Sequence, residues 1–481
     1  MDVQRPPRNR SAQTCTLGKA GLVVLAALLC SVNAAGQGAA PELGQKPELR
    51  QIPELRQILE LRQILERLEG LERSNRELTE EVRALRGQLA GTSPQPRGES
   101  PALEEQVAVE GARIEEQAQT KVESGQRFPI RLKGMLLFNT FLNSKQAGGQ
   151  EYPSVAADRS TANGGATLRQ SVFGFEYRGP EVFGGGKLHA SLLMDFFGGS
   201  GQSLDQALRI RTASMEIDWK SRSVKVGVDK PIFAPREPSS LAQVGVSPLT
   251  GAGNLWMWIP QVRVEQSFQW SDVTGVRAQG GAVGTREIST YQGTDYPADV
   301  GPSRPGLEGR FEFWHDFGAG RRVELAPGFH ASTSQVAQAA IPSRLFSADW
   351  LVSPWRKLEF TGAIYTGENV AHLGTGGIGQ GFAVAPNQQV KPLHNMGGWA
   401  QLTLPVTDRL SFHFFSGGQD ARDPWLAPGQ LARNLAFGAN FFYRLAPNVI
   451  MSLETSQVRT SYMQTGHRLN NHYDLAFAYL F

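Results

Sequence analysis

The feature that most constrains the fold is an alternation of period two that runs from about Arg131 to the C-terminus. Short runs alternate apolar with polar or small side chains, and Gly, Pro, Asp and Ser separate the runs. In the last run, every odd position from Tyr473 to Phe481 is Tyr, Leu or Phe, while His472 and Asp474 lie on the other parity. Because successive side chains of a strand point to opposite faces, this pattern predicts strands with one apolar and one polar face. It is typical of a soluble sandwich or a membrane barrel.

Two features favour an all-β antiparallel transmembrane barrel. Aromatic residues such as Trp219 and Trp270 stand at the ends of runs, which is typical of the aromatic girdles of a barrel. Tight turns such as 271–272 alternate with long segments such as 144–166 and 230–259, as periplasmic turns and outer loops do. The runs predict about 16 strands, an even number that leaves a lumen wide enough for water. They begin near positions 131, 167, 187, 208, 223, 260, 273, 307, 321, 345, 358, 394, 410, 435, 449 and 470.

One run breaks the pattern. In 208–219, Leu208 and Ile210 lie on one parity, whereas Met215 and Ile217 lie on the other. A strand can change parity where a β-bulge inserts an extra residue. The sequence therefore predicts either a bulge within this strand or a strand boundary other than the one assigned.

Composition excludes other classes of protein. No long apolar run follows the N-terminal region, which excludes a helical membrane protein. A net charge of +3 over 481 residues gives no electrostatic case for a nucleic-acid partner. No GxSxG or HExxH motif is present, and the glycine-rich stretch 374–379 lacks a strand–turn–helix context. We therefore predict no enzymatic activity, no cofactor and no metal.

The first 34 residues have the organisation of a secretory signal peptide. Four basic residues precede an apolar run from Ala20 to Val32, and Val32-Asn33-Ala34 provides a small-x-small cleavage site. The two cysteines of the chain, Cys15 and Cys30, both lie in this segment. We therefore expect the exported chain to fold without disulfides.

A helical arm is predicted to follow, over residues 48–90. From Leu61 the chain keeps a heptad repeat in which apolar residues alternate at spacings of 3 and 4, with Asn75 at one seam position. This pattern indicates a coiled coil rather than a lone surface helix. Residues 91–127 form a linker with weak helical character, and the barrel is predicted over 128–481.

Several of these residues resemble a known family. The aromatic last strand resembles the C-terminal strand of Gram-negative outer-membrane barrels. The segment from Lys230-Pro231-Ile232-Phe233 to Gly253-Asn254-Leu255-Trp256, followed by Pro260-Gln261-Val262-Arg263, is similar to trimeric porins of the DcaP type. It is similar more loosely to phosphate-selective and sucrose porins, and a coiled-coil arm is a feature of DcaP-type and sucrose porins.

The resemblance implies a homotrimer in the bacterial outer membrane, with the arm in the periplasm. It implies that the third outer loop, 230–259 by our strand count, folds into the lumen as a constriction. Family substrates are small and often anionic, but this chain lacks an obvious run of arginines at matched spacing.

Candidate pore residues are the charged residues of the polar parity and of the presumed constriction. Each could instead only make the lumen hydrophilic, without selecting solutes. Arg263 and Glu265 are expected to form a paired wall element. The candidates are Arg236, Glu237, Lys230, Asp229, Arg263, Glu265, Arg209, Arg211, Arg310 and Lys133.

The predicted function is passive diffusion of small hydrophilic, and in some cases anionic, solutes through a porin. The expected partners are outer-membrane lipid, two further copies of the chain and, through the arm, peptidoglycan. The first alternative is a barrel that anchors a coiled-coil tether to the cell wall or to a partner protein. A second is a barrel hydrolase.

Overall fold

The computed structural model describes residues 129–157, 161–198, 207–285, 287, 300–336, 339–374, 380–384, 389–421 and 424–481. The predicted signal peptide, coiled coil and linker lie outside the described residues. No helix in the described part of the chain is long and apolar enough to cross a membrane.

Sixteen strand positions form one closed antiparallel sheet, as the alternation predicted. The second position consists of two segments, which pair with the two halves of the first strand. A short hairpin, Phe382–Val384 with Val390–Pro392, lies outside the barrel sheet. The barrel strands are β1 Ile130–Asn143, β2 Asn163–Thr167 with Val172–Val182, β3 Gly186–Gly198, β4 Ala207–Asp218, β5 Arg222–Asp229, β6 Ile259–Ser271, β7 Thr274–Val283, β8 Val300–Gly318, β9 Arg321–Val336, β10 Ala339–Trp355, β11 Leu358–Glu368, β12 His394–Pro405, β13 Leu410–Asp420, β14 Leu431–Ala446, β15 Val449–Tyr462 and β16 Gly466–Leu480.

The sheet closes because the last strand pairs with the first. β16 lies antiparallel to β1 from Met135 opposite Leu480 to Asn143 opposite His472. Each strand also pairs with its neighbours in the sequence. Closure leaves no unpaired sheet edge, which a barrel in lipid requires.

The two faces of the wall differ as the alternation predicts. Outward positions carry large apolar side chains that are exposed, such as Phe346 (70%) and Tyr473 (52%). Inward positions carry buried polar groups such as Asp474 (3%) and Asn434 (0%). An apolar exterior around a polar interior is the arrangement of a transmembrane barrel and the reverse of a soluble one.

The connections distinguish the two ends of the barrel. At the end where β1 and β16 meet the chain termini, the turns are short, for example 272–273, 319–320 and 447–448. The opposite end, here called the long-loop end, carries the connections 144–162, 230–258 and 369–393. Two connections at this end, 337–338 and 463–465, are nevertheless short.

The change of parity in this run is a bulge in β4, the first of the two predicted explanations. Leu193 pairs with Thr212, but the next residue, Met194, pairs with Ile210. The register therefore slips by one residue at Arg211, which moves the apolar residues before and after it onto the same outward face.

Candidate functional site

The third connection at the long-loop end, residues 230–258, lies inside the barrel; we call it the inward loop. Phe233 and Leu255 pack with Leu345 of β10 and Tyr365 of β11. On the opposite side, Leu241 packs with Leu137 of β1. Because these wall strands lie far apart around the sheet, the loop crosses the lumen rather than lining one side of it.

The loop also touches the wall through its backbone. At Gly253, where φ is +96°, a Cβ atom would lie 2.2 Å from the carbonyl oxygen of Gly398 on β12. Both the left-handed conformation and the close approach require glycine here. Ala252, beside it, packs with Trp399 and Phe415.

Arginines and carboxylates fasten one side of the inward loop. Arg236 Nε donates to Asp349 Oδ1 at 2.8 Å, and its guanidinium also pairs with Glu324 and, at 3.8 Å, with Glu312. Arg310, which is 2% exposed, lies behind this group. Its guanidinium bonds Asp349 at 2.7 Å and Glu312 at 2.7 Å. Arg310 therefore holds the carboxylates that hold Arg236, rather than facing open lumen.

Two arginines of β4 hold the distal part of the loop. Arg209 Nη2 donates to the carbonyl of Gly245 at 2.6 Å, and Arg211 Nη1 donates to that of Val244 at 2.7 Å. Both guanidiniums pair with the buried carboxylate of Asp195, at 2.7 and 3.5 Å. Both also lie over the ring of Trp258, 5.2 and 4.7 Å from its centroid, a favourable cation–π geometry.

An uncharged clamp holds the same part of the loop. Gln170 lies in the interruption of β2 between Thr167 and Val172 and is 5% exposed. Its amide nitrogen donates to the carbonyl of Ala242 at 2.7 Å. Its amide oxygen accepts from the backbone N–H groups of Val244 at 2.7 Å and Gly245 at 2.9 Å.

Amides, hydroxyls and one carboxylate hold the loop on the β12–β15 side. Gln401 accepts from the N–H of Ser239 at 2.7 Å. Asn440 donates to the carbonyl of Ser239 at 2.9 Å, and Ser240 Oγ donates to Glu454 at 2.6 Å. Asn434 donates to the carbonyl of Gly251 at 2.7 Å.

The root of the loop carries two further ion pairs. Lys230 Nζ lies 2.6 Å from Glu237, and Asp229 lies 3.1 Å from Lys225 of β5. Burial alone would raise the pKa of Glu237, but Lys230 and the hydroxyl of Ser247 lower that pKa below its usual value.

A row of charged residues runs along the inner wall beside the loop. The strand register places Arg178 opposite His189, His189 opposite Glu216, Glu216 opposite Lys225, and Lys225 opposite Arg263. We call these five residues the lumen row. The first four of them line a cavity of about 270 Å³.

Arg263 differs from the other arginines of the site. In the described part of the chain no ion pair or hydrogen bond is found for its guanidinium, and its Nε is buried without a partner. The expected pair with Glu265 does not form; Glu265 instead pairs with Arg277 at 3.3 Å and accepts from Gln279 at 2.7 Å. Gln279 lies directly opposite Glu265 on β7, and Arg277 lies diagonally opposite, where a long side chain reaches the carboxylate.

The predicted residues thus separate into three groups. Arg236, Arg209, Arg211 and Arg310 take part in fastening the inward loop, and Lys230, Glu237 and Asp229 form its root. Arg263 and Glu265 lie on the wall, and Lys133 pairs with Glu176 beside the cavity. Sequence reasoning missed Gln170 and Asp195, whose roles depend on contacts with a distant loop.

A buried histidine lies near the root of the loop. His372 follows β11 in a short 3-10 turn, and its ring centroid is 5.6 Å from that of His330. Burial, with a smaller contribution from His330, lowers the pKa of His372 to about 3. Within the described ranges, no three His, Cys, Asp or Glu residues are grouped so that they could hold a metal ion.

Solved structures share this architecture. The outer membrane channel DcaP of Acinetobacter baumannii aligns with a TM-score of 0.61 at 15% identity, over 73% of this chain and 97% of that one. The barrel has the fold of an outer-membrane porin. An anion-selective porin from Comamonas acidovorans aligns with a TM-score of 0.52 at 11% identity, over 73% of this chain and 99% of that one. No protein-family model matches the sequence, and no curated protein does.

Proposed function

We propose that the chain is an outer-membrane porin, through which small hydrophilic solutes diffuse past the inward loop. The observation that carries this proposal is the loop itself, which crosses a charged lumen inside a barrel with an apolar exterior. A loop in this position narrows the passage, and charges beside it sort solutes by size and sign. The function requires no cofactor or metal.

The lumen row supports a preference for anions. It combines Arg178, Lys225 and Arg263 with one carboxylate, Glu216, which already pairs with Lys225 at 3.0 Å. The positive charge of Arg178 and Arg263 is therefore not cancelled by an ion pair within the row. The other arginines beside the loop contribute less, because carboxylates balance them.

The outward surface supports assembly of three copies. In the described strands, the long-loop halves of β1–β7 carry no charged side chain on the outward parity. On β10–β16 the same zone carries Arg344, Glu368, His394, Asp420, Arg433, Arg459 and His467. Charged side chains near the ends of a membrane segment extend toward headgroups and water. The uncharged sector is therefore the one suited to contact another copy.

The proposal is tested by conductance in a planar bilayer, with the full chain and with a variant that lacks residues 35–127. We expect open channels from both proteins, because the lumen and its loop belong to the barrel. Correctly folded barrels without conductance would instead support the coiled-coil tether.

The anion preference is tested by the reversal potential in a salt gradient. We expect Arg263→Gln to shift the reversal potential toward cations without changing the stability of the loop, since Arg263 makes no contact that holds it. Arg321→Gln provides a control that removes the same charge elsewhere, because Arg321 is an exposed arginine at the short-turn end that donates to the carbonyls of Phe317 and Gly318, outside the lumen row; it should leave the reversal potential unchanged. An unchanged reversal potential in Arg263→Gln would rule out the lumen row as a charge filter.

A further inference from the structure

Two arginines and a histidine lie together on the outer surface, at the long-loop end of β14–β16. The register aligns Arg433 of β14 with Ser461 of β15, and Ser461 with His467 of β16. Arg459 lies two residues from Ser461 on the same face of β15. We call Arg433, Arg459, Ser461 and His467 the rim patch.

The rim patch faces away from the lumen. Its residues share the parity of exposed apolar residues such as Leu453 (50%) and Tyr473 (52%). Asn434 and Thr460, which are next to them in the chain, are 0% exposed and face inward, as is Asn470 further along β16. The patch therefore borders the apolar belt and is reached from the membrane rather than from the passage.

The guanidiniums of the patch retain donors for a ligand. Arg459 Nε donates to Gln457 at 2.7 Å, and its guanidinium lies 5.4 Å from the centroid of the Phe437 ring. Arg433 is half exposed, and its Nε lies 3.9 Å from Asp420, which is beyond hydrogen-bond distance. In the patch, Ser461 and His467 are joined by a hydrogen bond of 2.7 Å.

We propose that the rim patch binds the phosphate of a lipid headgroup in the outward-facing leaflet. Arg433 and Arg459 are diagonal neighbours on β14 and β15, and two arginines at this spacing match the charge and the acceptor oxygens of a phosphate. Arg459 lies beside Phe437 at the edge of the apolar belt, the position that an arginine takes at a membrane interface. A lipid fits this position better than a free anion, because its acyl chains would cover the exposed apolar surface directly below the phosphate. The inference rests on the proposed membrane location.

The test is native mass spectrometry of the full chain in detergent, titrated with a diphosphorylated disaccharide lipid (lipid A) and with its dephosphorylated form. We expect the phosphorylated lipid to bind more tightly. The double variant Arg433→Gln/Arg459→Gln should weaken its binding about thirtyfold. Each basic residue near an anionic headgroup strengthens binding about five- to sixfold, and the double variant removes two of them. Arg344→Gln is the matched control, because Arg344 is an exposed outward arginine of the same rim on β10 (72% exposed). It should bind like wild type.

Three results would overturn the proposal: equal binding of both lipid forms, unchanged binding by the double variant, or an equal loss in Arg344→Gln. Competition by millimolar inorganic phosphate would also overturn it, since the patch would then recognise a free anion. Conductance is recorded on the same samples. A protein that binds the lipid but does not conduct would refute the porin function alone, whereas a conducting protein without lipid binding would refute the rim patch alone.

Discussion

Replacement of Arg236 by glutamine tests whether ion pairs hold the inward loop in the lumen. Arg236 is 18% exposed and faces Asp349, Glu324 and Glu312, which are 1%, 12% and 4% exposed. Removal of one partner of a buried ion pair costs about 3–5 kcal/mol. Because Arg310 and Arg322 remain beside these carboxylates, we take the lower end, about 3 kcal/mol.

A loss of this size raises the population of released loop roughly 100-fold. We expect single-channel recordings of Arg236→Gln to show larger and noisier conductance than wild type. The reversal potential should move toward cations, since one carboxylate charge is left unbalanced. Arg263→Gln is the control for charge alone, because it should change the reversal potential and leave the noise unaltered. Wild-type conductance, noise and reversal potential in Arg236→Gln would refute the reasoning.

Three further predictions concern contacts of the loop region. Gln170→Met leaves three backbone groups of the loop without their partner, so we expect frequent flickering in single-channel traces; a quiet channel would show that the clamp is dispensable. Gly253→Ala places a Cβ against the backbone of β12. The temperature at which the barrel unfolds, measured by the shift of its band on gels, should therefore fall by several degrees, and an unchanged temperature would contradict the close approach. Because the pKa of His372 is lowered to about 3, the folded state binds fewer protons than the unfolded state between that value and the usual histidine pKa, and acidification below about pH 6.5 should destabilise the protein by up to about 1.4 kcal/mol per pH unit. His372→Phe should make the slope of stability against pH shallower by the share of this one histidine in thermal unfolding series, and an identical slope in the variant would assign the acid sensitivity to other groups.

The strands and the orientation of the wall could be predicted from the sequence, because both follow from period-two alternation. The predicted starts lie within a few residues of most strand starts. They fall late where a strand begins with small or polar residues, as at β8 from Val300 and β10 from Ala339. The change of parity in β4 could be recognised from the sequence, but a bulge and a misplaced strand boundary give the same pattern, and the pairing with β3 shows that it is a bulge.

The candidate site could be predicted only in part, because the sequence of one strand does not determine which residues it pairs with on its neighbours. Arg178, Lys225 and Arg263 are far apart in the sequence, and only the pairing of β2 to β6 places them in one row. Alternation places Arg310 on the inward face of its strand, as it does a residue exposed to the lumen. Its burial depends on the inward loop that covers it, and alternation does not predict which inward residues a loop will cover.

The lumen row comes from five consecutive strands, and the inward loop connects the last two of them. Both elements that we propose to meet solutes therefore belong to one continuous stretch, 178–263. A single exchange of this stretch between related barrels would transfer the lumen row together with the inward loop. Compatibility would then depend on the few recipient side chains that receive the loop, above all Asp349, Gln401 and Asn434.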